Sequence, residues 1–544
     1  MAFQSAKWAS AALVTLMASA ATVPSIAYAQ DAVAEDAPKE IVVSALRRDQ
    51  NLQDVPAAVT AFSAEAIENA KDKSKGKKTW SYEAINVRDF AFNSSRRLVW
   101  DAMAADVEGK KVMCMSYYGK EAYPIYKKYS TKAVYHTIKT YSKFTIAYPY
   151  PVAISVEASI GMEYPMIAMN YGRAEKDGTY SEATKYGAIG VIIHEVGHNF
   201  FPMIINSDER QYWWMDEGLN TFVQFLTEQE FDNNYPSRRG PAHLIADYMK
   251  LPKDMLEPIM TKGDNVASVG SNAYAKAATG LNILRETIMG RELFDYAFKE
   301  YARRWAFKHP TPNDLFRTLE DASAVDLDWF WRGWYFSTEP VDIAIDSVKW
   351  FRLDANKNLA SMKAPEFETI SKVRNRDDKN LIYYTNTDTT LRDYYYYNRA
   401  ADAKMFQDMA QQQLDAQKDN ANYAAWEDKH FYELQFSNKG GMVMPIIVEW
   451  TFTDGSKEVD RIPVGIWKLN EQKVTKLFAK NKEVAGIKLD PMRETADINE
   501  SNGMWPVREM PSRFQLFKGA STISGLGAPR GGGPSINAMQ KAKK

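Results

Sequence analysis

The chain has 544 residues and carries 68 Lys and Arg against 69 Asp and Glu, a net charge of −1 at neutral pH. That balance offers no basic surface to nucleic acid or to an anionic membrane, and neither is expected as a partner. The length allows two or three domains; the single cysteine, Cys114, excludes an internal disulfide and is expected to pack as a small apolar side chain.

The chain opens with Lys7, an Ala-rich apolar run from Trp8 to Val23, and the small residues of Ala27-Tyr28-Ala29. This is the pattern of an export signal over residues 1–29, with Gln30 as the mature start. The expected location is the periplasm of a Gram-negative cell. No later stretch is long and apolar enough to cross a bilayer, so no membrane span is expected in the mature chain. In residues 30–78, the segments Glu40 to Ala45, Gln50 to Pro56 and Val59 to Phe62 resemble the opening of the plug domain of TonB-dependent receptors. A receptor would need a barrel of many alternating strands, and none follows. These residues, ending in the Lys-rich run Lys71 to Lys78, are expected to form a leader and solvated linker without a TonB partner.

From Thr79 the pattern changes. Trp80 to Phe92 reads as a pair of strands, Lys110 to Ser116 as another, and Thr131 to Ser142 as a helix. Phe144 to Tyr148 and Val152 to Val156, punctuated by Pro149 and Pro151, suit edge strands or bends. Gly161-Met162-Glu163-Tyr164-Pro165 follows, and Met166 to Tyr171 is again strand-like. Then comes the stretch that carries chemistry. Thr184 to Ile193 is rich in Ala, Gly and Ile, as a buried helix would be, and it runs into His194-Glu195-Val196-Gly197-His198. On a helix, positions four apart share a face. His194 and His198 therefore point two imidazoles at one spot, a pair suited to zinc, which in catalytic sites usually takes three protein ligands. Eighteen residues later Glu217 opens a second helical run, Leu219 to Phe231, and is placed to supply a carboxylate from a facing helix. Glu195 is rotated off the ligand face and free to act as a base. Asp216 is either a partner that orients a ligand or a solvent-facing acid.

Residues Pro241 to Trp334 read as mostly helical. Ala273 to Met289 and Glu292 to Phe307 are two helices. Thr311-Pro312-Asn313-Asp314 caps a third, and Asp326 to Phe336 is a Trp-rich closing helix. From Val341 strands dominate. Tyr432, Leu434 and Phe436 alternate with polar neighbours, as do Val448, Trp450 and Phe452, and Asp454-Gly455 is a hairpin turn. Tyr394 to Tyr397 is expected to be a stacked core edge, and residues 516–544 a disordered tail.

His194, Glu195, His198 and Glu217, with Gly161-Met162-Glu163 upstream and Tyr274-Ala275-Lys276 downstream, together resemble the zinc aminopeptidases of the aminopeptidase N family. The resemblance implies an α+β architecture: a thermolysin-like zinc peptidase domain over 101–337, made of a mixed sheet and a helical half, then a β-rich C-terminal domain over 338–515. Residues 79–100 would be the remnant of an N-terminal β-domain. It implies one Zn2+ per chain held by His194, His198 and Glu217, with Glu195 as general base and then acid. Tyr274 would donate to the developing oxyanion. Glu163, with Gly161 and Met162, would bind the free α-amine of a peptide substrate. The chain departs from the family pattern at Tyr164-Pro165 and at Asn199-Phe200, which bears on substrate preference. The alternatives are an endopeptidase or other metallohydrolase on the same site, or a truncated or fused peptide-binding chain without activity.

Overall fold

The computed structural model describes residues 84–352, 368–393 and 426–507, the strands Val42–Ala45 and Arg48–Asn51, a few helical positions between 404 and 415, and Met539. The expected export signal, most of the leader with its Lys run, the tyrosines 394–397 and the tail beyond 515 lie outside the described residues. The chain divides into two units, Met1–Val55 with Val59–Glu83, and Pro56–Ala58 with Ala84–Lys544. In the first, Val42–Ala45 and Arg48–Asn51 pair antiparallel.

In the second unit a five-stranded mixed sheet comes first. β1 (Val99–Val107) and β2 (Lys110–Tyr118) form a hairpin. Its turn, Glu108-Gly109, has positive φ at both residues, 50° and 84°, which matches the twist of the flanking strands. Helix α1 (Tyr123–Phe144) crosses over to β3 (Val152–Glu157), which lies parallel to β2 on one side and to β5 (Ile167–Asn170) on the other. The short β4 (Met162–Tyr164) pairs antiparallel with β5 and forms the edge. Hydroxyls pin helix to sheet: Ser116 lies 2.7 Å from Ser130, Ser130 donates to Ser155, and Asn170 donates to Ser155 at 2.8 Å. Cys114 is fully buried on β2, and burial pushes its thiol up to about 12, so it is an inert packing residue.

Three expectations are corrected here. Residues 84–98 contain no strand; the first strand of this unit begins at Val99. Phe144 ends α1, and 145–148 is irregular. Val152–Glu157 is an interior strand, not an edge, because both prolines precede it and the Pro151 carbonyl accepts from Met113 N–H.

The helical half follows. α2 (Glu182–Gly197) is capped by Ser181, whose hydroxyl accepts from Thr184 N–H at 3.1 Å. Ala188, Ile189, Ile192, Ile193 and Val196 are buried, as a helix packed on both sides requires. α3 (Trp213–Phe231) packs against it. α4 begins with the π-helical turn Gly270–Lys276, continues through Ala277–Ile283 and ends in the π-helical Leu284–Ile288. α5 (Arg291–Trp305) and α6 (Pro312–Ser323) form a pair; at the start of α6 the Asp314 carboxylate accepts from Thr311 N–H and hydroxyl. α7 (Asp328–Phe330) runs into the π-helical Trp331–Tyr335. Here Trp334 Nε1–H donates to the Lys276 carbonyl at 2.8 Å, and Lys276 Nζ donates to the Ser337 carbonyl. The Trp-rich helix thereby fixes the turn that carries Tyr274. Among the described residues no helix is long and apolar enough to cross a membrane.

The C-terminal part is β-rich, as expected. β6 (Ile343–Arg352), β7 (His430–Asn438) and β10 (Lys473–Lys480) form one antiparallel sheet. β8 (Ile446–Phe452), β9 (Lys457–Ile462), β11 (Val484–Leu489) and β12 (Met504–Trp505) form the other, with Asp454-Gly455 at the β8–β9 turn. The alternating residues of β7 and β8 face each other: the rings of Tyr432 and Trp450 lie 5.8 Å apart, and Tyr432 hydroxyl accepts from Val484 N–H. Two short exposed helices, Ile370–Asp377 and Tyr384–Thr387, carried no apolar period to announce them.

Close approach of α3 to α4 depends on Gly218. A Cβ there would lie 2.5 Å from Ala277 Cβ and 2.7 Å from the Ala273 carbonyl oxygen, neither of which can rotate away. Gly218→Ala is expected to destabilise the fold by about 1–3 kcal/mol through overpacking. The check is a lower urea midpoint with an unchanged slope.

Candidate metal centre

α2 delivers His194 and His198 to one side, as four-residue spacing requires, and α3 brings Glu217 against them. His194 Nε2 lies 3.0 Å from Glu217 Oε2, His198 Nε2 lies 3.3 Å from the same oxygen, and the two Nε2 atoms are 3.1 Å apart. Ligand atoms arranged tetrahedrally about 2.0–2.1 Å from one zinc ion are separated by about 3.3 Å. The triangle therefore has the size that a zinc ion needs.

The far nitrogens fix the tautomers. His194 Nδ1–H donates to the Gln224 side-chain oxygen at 2.8 Å, and His198 Nδ1–H points at the Phe201 carbonyl at 2.8 Å, with an Asp216 carboxylate oxygen also at 2.8 Å. Both Nε2 lone pairs are thus left for a metal. Asp216 is buried, so of the two roles left open for it the solvent-facing one is excluded. Burial opposes protonation of His198, but the Asp216 and Glu217 carboxylates outweigh it and hold this imidazole well above its usual range. Burial also penalises the Glu217 carboxylate, yet the two imidazoles hold it below its usual range. The pocket calls for positive charge, which a divalent cation supplies.

Glu195 is buried on α2, and burial pushes its carboxyl up to about 6. The Gly161 backbone passes so close that a Cβ there would run into the Glu195 carboxylate. Glu163, on edge strand β4 beside Met162, has an oxygen within 4.8 Å of His198 and Asp216 ligand atoms, so it faces the centre. The Tyr274 ring stacks on His194 with centroids 5.7 Å apart. His194, His198, Glu217, Glu195, Glu163, Gly161 and Tyr274 therefore come together, while Met162 is placed only as the neighbour of Glu163 on β4.

Several residues that sequence reasoning missed complete it. Tyr141 hydroxyl donates to Asn220 Oδ1 at 2.7 Å, and Asn220 Nδ2 donates to the His194 carbonyl. Gln224 Nε2 donates to Glu228, which also accepts from Ser237. Burial pushes the Glu228 carboxyl up to about 7. Asn220, Gln224 and Glu228 are spaced by four on α3, a polar stripe in an apolar helix that could have signalled them. Asn199 accepts from Met166 N–H at 2.7 Å and from Tyr148, and donates to the Val196 carbonyl. It ties the β4–β5 hairpin to α2. The Arg239 guanidinium lies 4.4 Å over the Tyr274 ring.

Residues 129–334 match the Peptidase family M1 domain. Glutamyl aminopeptidase of Sus scrofa is 26% identical over 181 residues, which are 31% of this chain and 19% of that protein. Aminopeptidase M1-A of Oryza sativa subsp. japonica is 23% identical over 246 residues, 42% of this chain and 27% of that protein. The chain thus aligns with about a fifth to a quarter of these curated relatives' length. A crystal structure of Legionella pneumophila aminopeptidase A in complex with aspartic acid superposes with a TM-score of 0.47 at 11% identity, covering 74% of this chain and 38% of that one.

Gln224→Leu removes the acceptor that orients His194 while approximating the volume. It is expected to weaken zinc affinity about 10- to 100-fold, measured by competition against a chelator, with the far-ultraviolet circular dichroism unchanged.

Proposed function

We propose that this chain is a zinc-dependent aminopeptidase that removes N-terminal residues from peptides. The observation that carries the proposal is the set of three ligand atoms within 3.0–3.3 Å of one another beside a buried glutamate. The Peptidase family M1 domain match over the same residues supports it. Zinc bound by His194, His198 and Glu217 would supply a Lewis acid for the scissile carbonyl and for the attacking water.

This chain's own residues divide the rest of the chemistry. Glu195, poised near neutrality by its burial, takes a proton from the attacking water and returns it to the departing amine. The Tyr274 hydroxyl, carried on the π-helical turn, donates to the carbonyl oxygen as that oxygen gains charge. Glu163 pairs with the substrate's α-ammonium, and Gly161 and Met162 hold the edge strand that carries it. A carboxylate fixed beside the metal admits a chain end and disfavours an internal bond. That is why the aminopeptidase reading is preferred to the endopeptidase one. Export to the periplasm belongs to the same proposal; Lys7, the apolar run to Val23 and Ala27-Tyr28-Ala29 support it.

Aminoacyl-anilides with free amines should be hydrolysed, and their acetylated counterparts should not. Chelation should abolish turnover, and added zinc should restore it. Glu195→Gln should retain zinc and lose hydrolysis. Tyr274→Phe should lower kcat about 10²- to 10³-fold. Hydrolysis that survives Glu195→Gln, or acetylated substrates cut as fast as free ones, would overturn the assignment.

A further inference from the structure

Arg239 is the cation at this site to which the roles above give no work. It lies on the segment after α3, and its guanidinium carbon sits 4.4 Å from the centroid of the Tyr274 ring, which itself stacks on His194. A guanidinium carries five N–H donors in a planar fork. Among the described residues no acceptor lies within hydrogen-bond distance of them. The carboxylates whose charge reaches Arg239 are already engaged, Glu217 by the two imidazoles and Glu228 by Gln224 and Ser237. Arg239 is half-buried, and burial disfavours its charged form. A partly desolvated fork with idle donors is costly unless a ligand brings acceptors.

The surroundings say where that ligand lies. A cavity of about 520 Å³ is lined by Ser159, Tyr171, Arg173, Thr184, Ala188 and Arg238. Ala188 precedes Glu195 on α2 by seven residues, two turns, so the cavity lies on the same helix face about 10 Å from the general base. Tyr171, which lines the cavity, is near enough to Arg239 to feel its charge. Arg173 is paired with Glu157 at 2.6 Å, whereas Arg238 is exposed and has no ion-pair partner among the described residues. Glu163 thus brings a carboxylate to the centre, while Arg238 lines the adjoining cavity and Arg239 lies over Tyr274.

We propose that Arg239 is a substrate-binding residue that takes a peptide carboxylate in its guanidinium fork, from the C-terminus of a short peptide or from an acidic side chain. The proposal rests on the peptide-hydrolase reading above. A bidentate carboxylate would satisfy the idle donors. A short peptide, cationic at its amine and anionic at its other end, offers one ion to Glu163 and the other to Arg239.

The test is binding to zinc-loaded Glu195→Gln protein, with and without Arg239→Gln, measured by calorimetry. Ala-Ala-Ala is compared with its C-terminal amide, and Glu-Ala amide with Gln-Ala amide. In at least one pair the carboxylate-bearing peptide should bind about tenfold or more tightly than its neutral counterpart. Arg239→Gln should erase that preference and leave the neutral peptide within about twofold; Arg239→Lys, which keeps the charge but loses the fork, should retain only part of it. The pair that responds identifies the source of the carboxylate. No preference in the parent protein, a preference that survives Arg239→Gln, or equal weakening of charged and neutral peptides would overturn the proposal. Because the readout is binding, a chain that hydrolysed no peptide would sink the aminopeptidase reading and leave this comparison intact.

Discussion

Two imidazole nitrogens and a carboxylate oxygen crowd within 3.3 Å of one another, with their lone pairs converging. Unprotonated and without a metal, these atoms repel, so the arrangement calls for positive charge between them, which a divalent cation supplies. Much of the helical half serves to hold these three atoms in place. The four-residue spacing on α2 aligns the imidazoles, α3 brings up Glu217, and Gly218 lets α4 approach closely enough to lay Tyr274 against His194. Gly197 serves the same end. A Cβ there would run into the Tyr141 hydroxyl and the Asn220 amide oxygen, the pair that steadies the His194 carbonyl.

The supports reach outward in layers. Gln224 orients His194, Glu228 and Ser237 orient Gln224, and Asn199 ties the edge strand carrying Glu163 to the metal helix. The link continues into the Trp-rich helix, where Trp334 holds the Lys276 carbonyl two residues beyond Tyr274. Lys276 is almost fully buried, and burial pulls its ammonium down to about 8; its hydrogen bond to the Ser337 carbonyl connects the helical half to the start of the β-rich part. Rigid placement of this kind is what electrostatic stabilisation of a developing charge demands.

The proposed metal ligands and the proposed general base were legible because their chemistry is local. Helical periodicity alone puts His194 and His198 on one face and rotates Glu195 away. The alternation of β7 and β8 was legible for the same reason, since strand period decides which side chains enter a core. What escaped depends on three-dimensional neighbours. Val152–Glu157 looked like an edge because Pro149 and Pro151 stand before it, yet a proline ahead of a strand costs that strand no ladder hydrogen bond. Residues 84–98 carry enough aromatics to suggest strands but find no partner strand to pair with. Arg239 lies far from Tyr274 in sequence and is brought to it only by the turn into α4. Gln224 stands among other polar positions of α3, and only its contact with His194 sets it apart.

The account stands or falls on the ion. X-ray data collected on crystals of the zinc-loaded protein just above and just below the zinc absorption edge would locate it directly. The predicted result is one anomalous peak per chain, about 2.0–2.2 Å from His194 Nε2, His198 Nε2 and a Glu217 carboxylate oxygen. A site without an edge-dependent peak, or zinc bound elsewhere while those three side chains remain together, would contradict it.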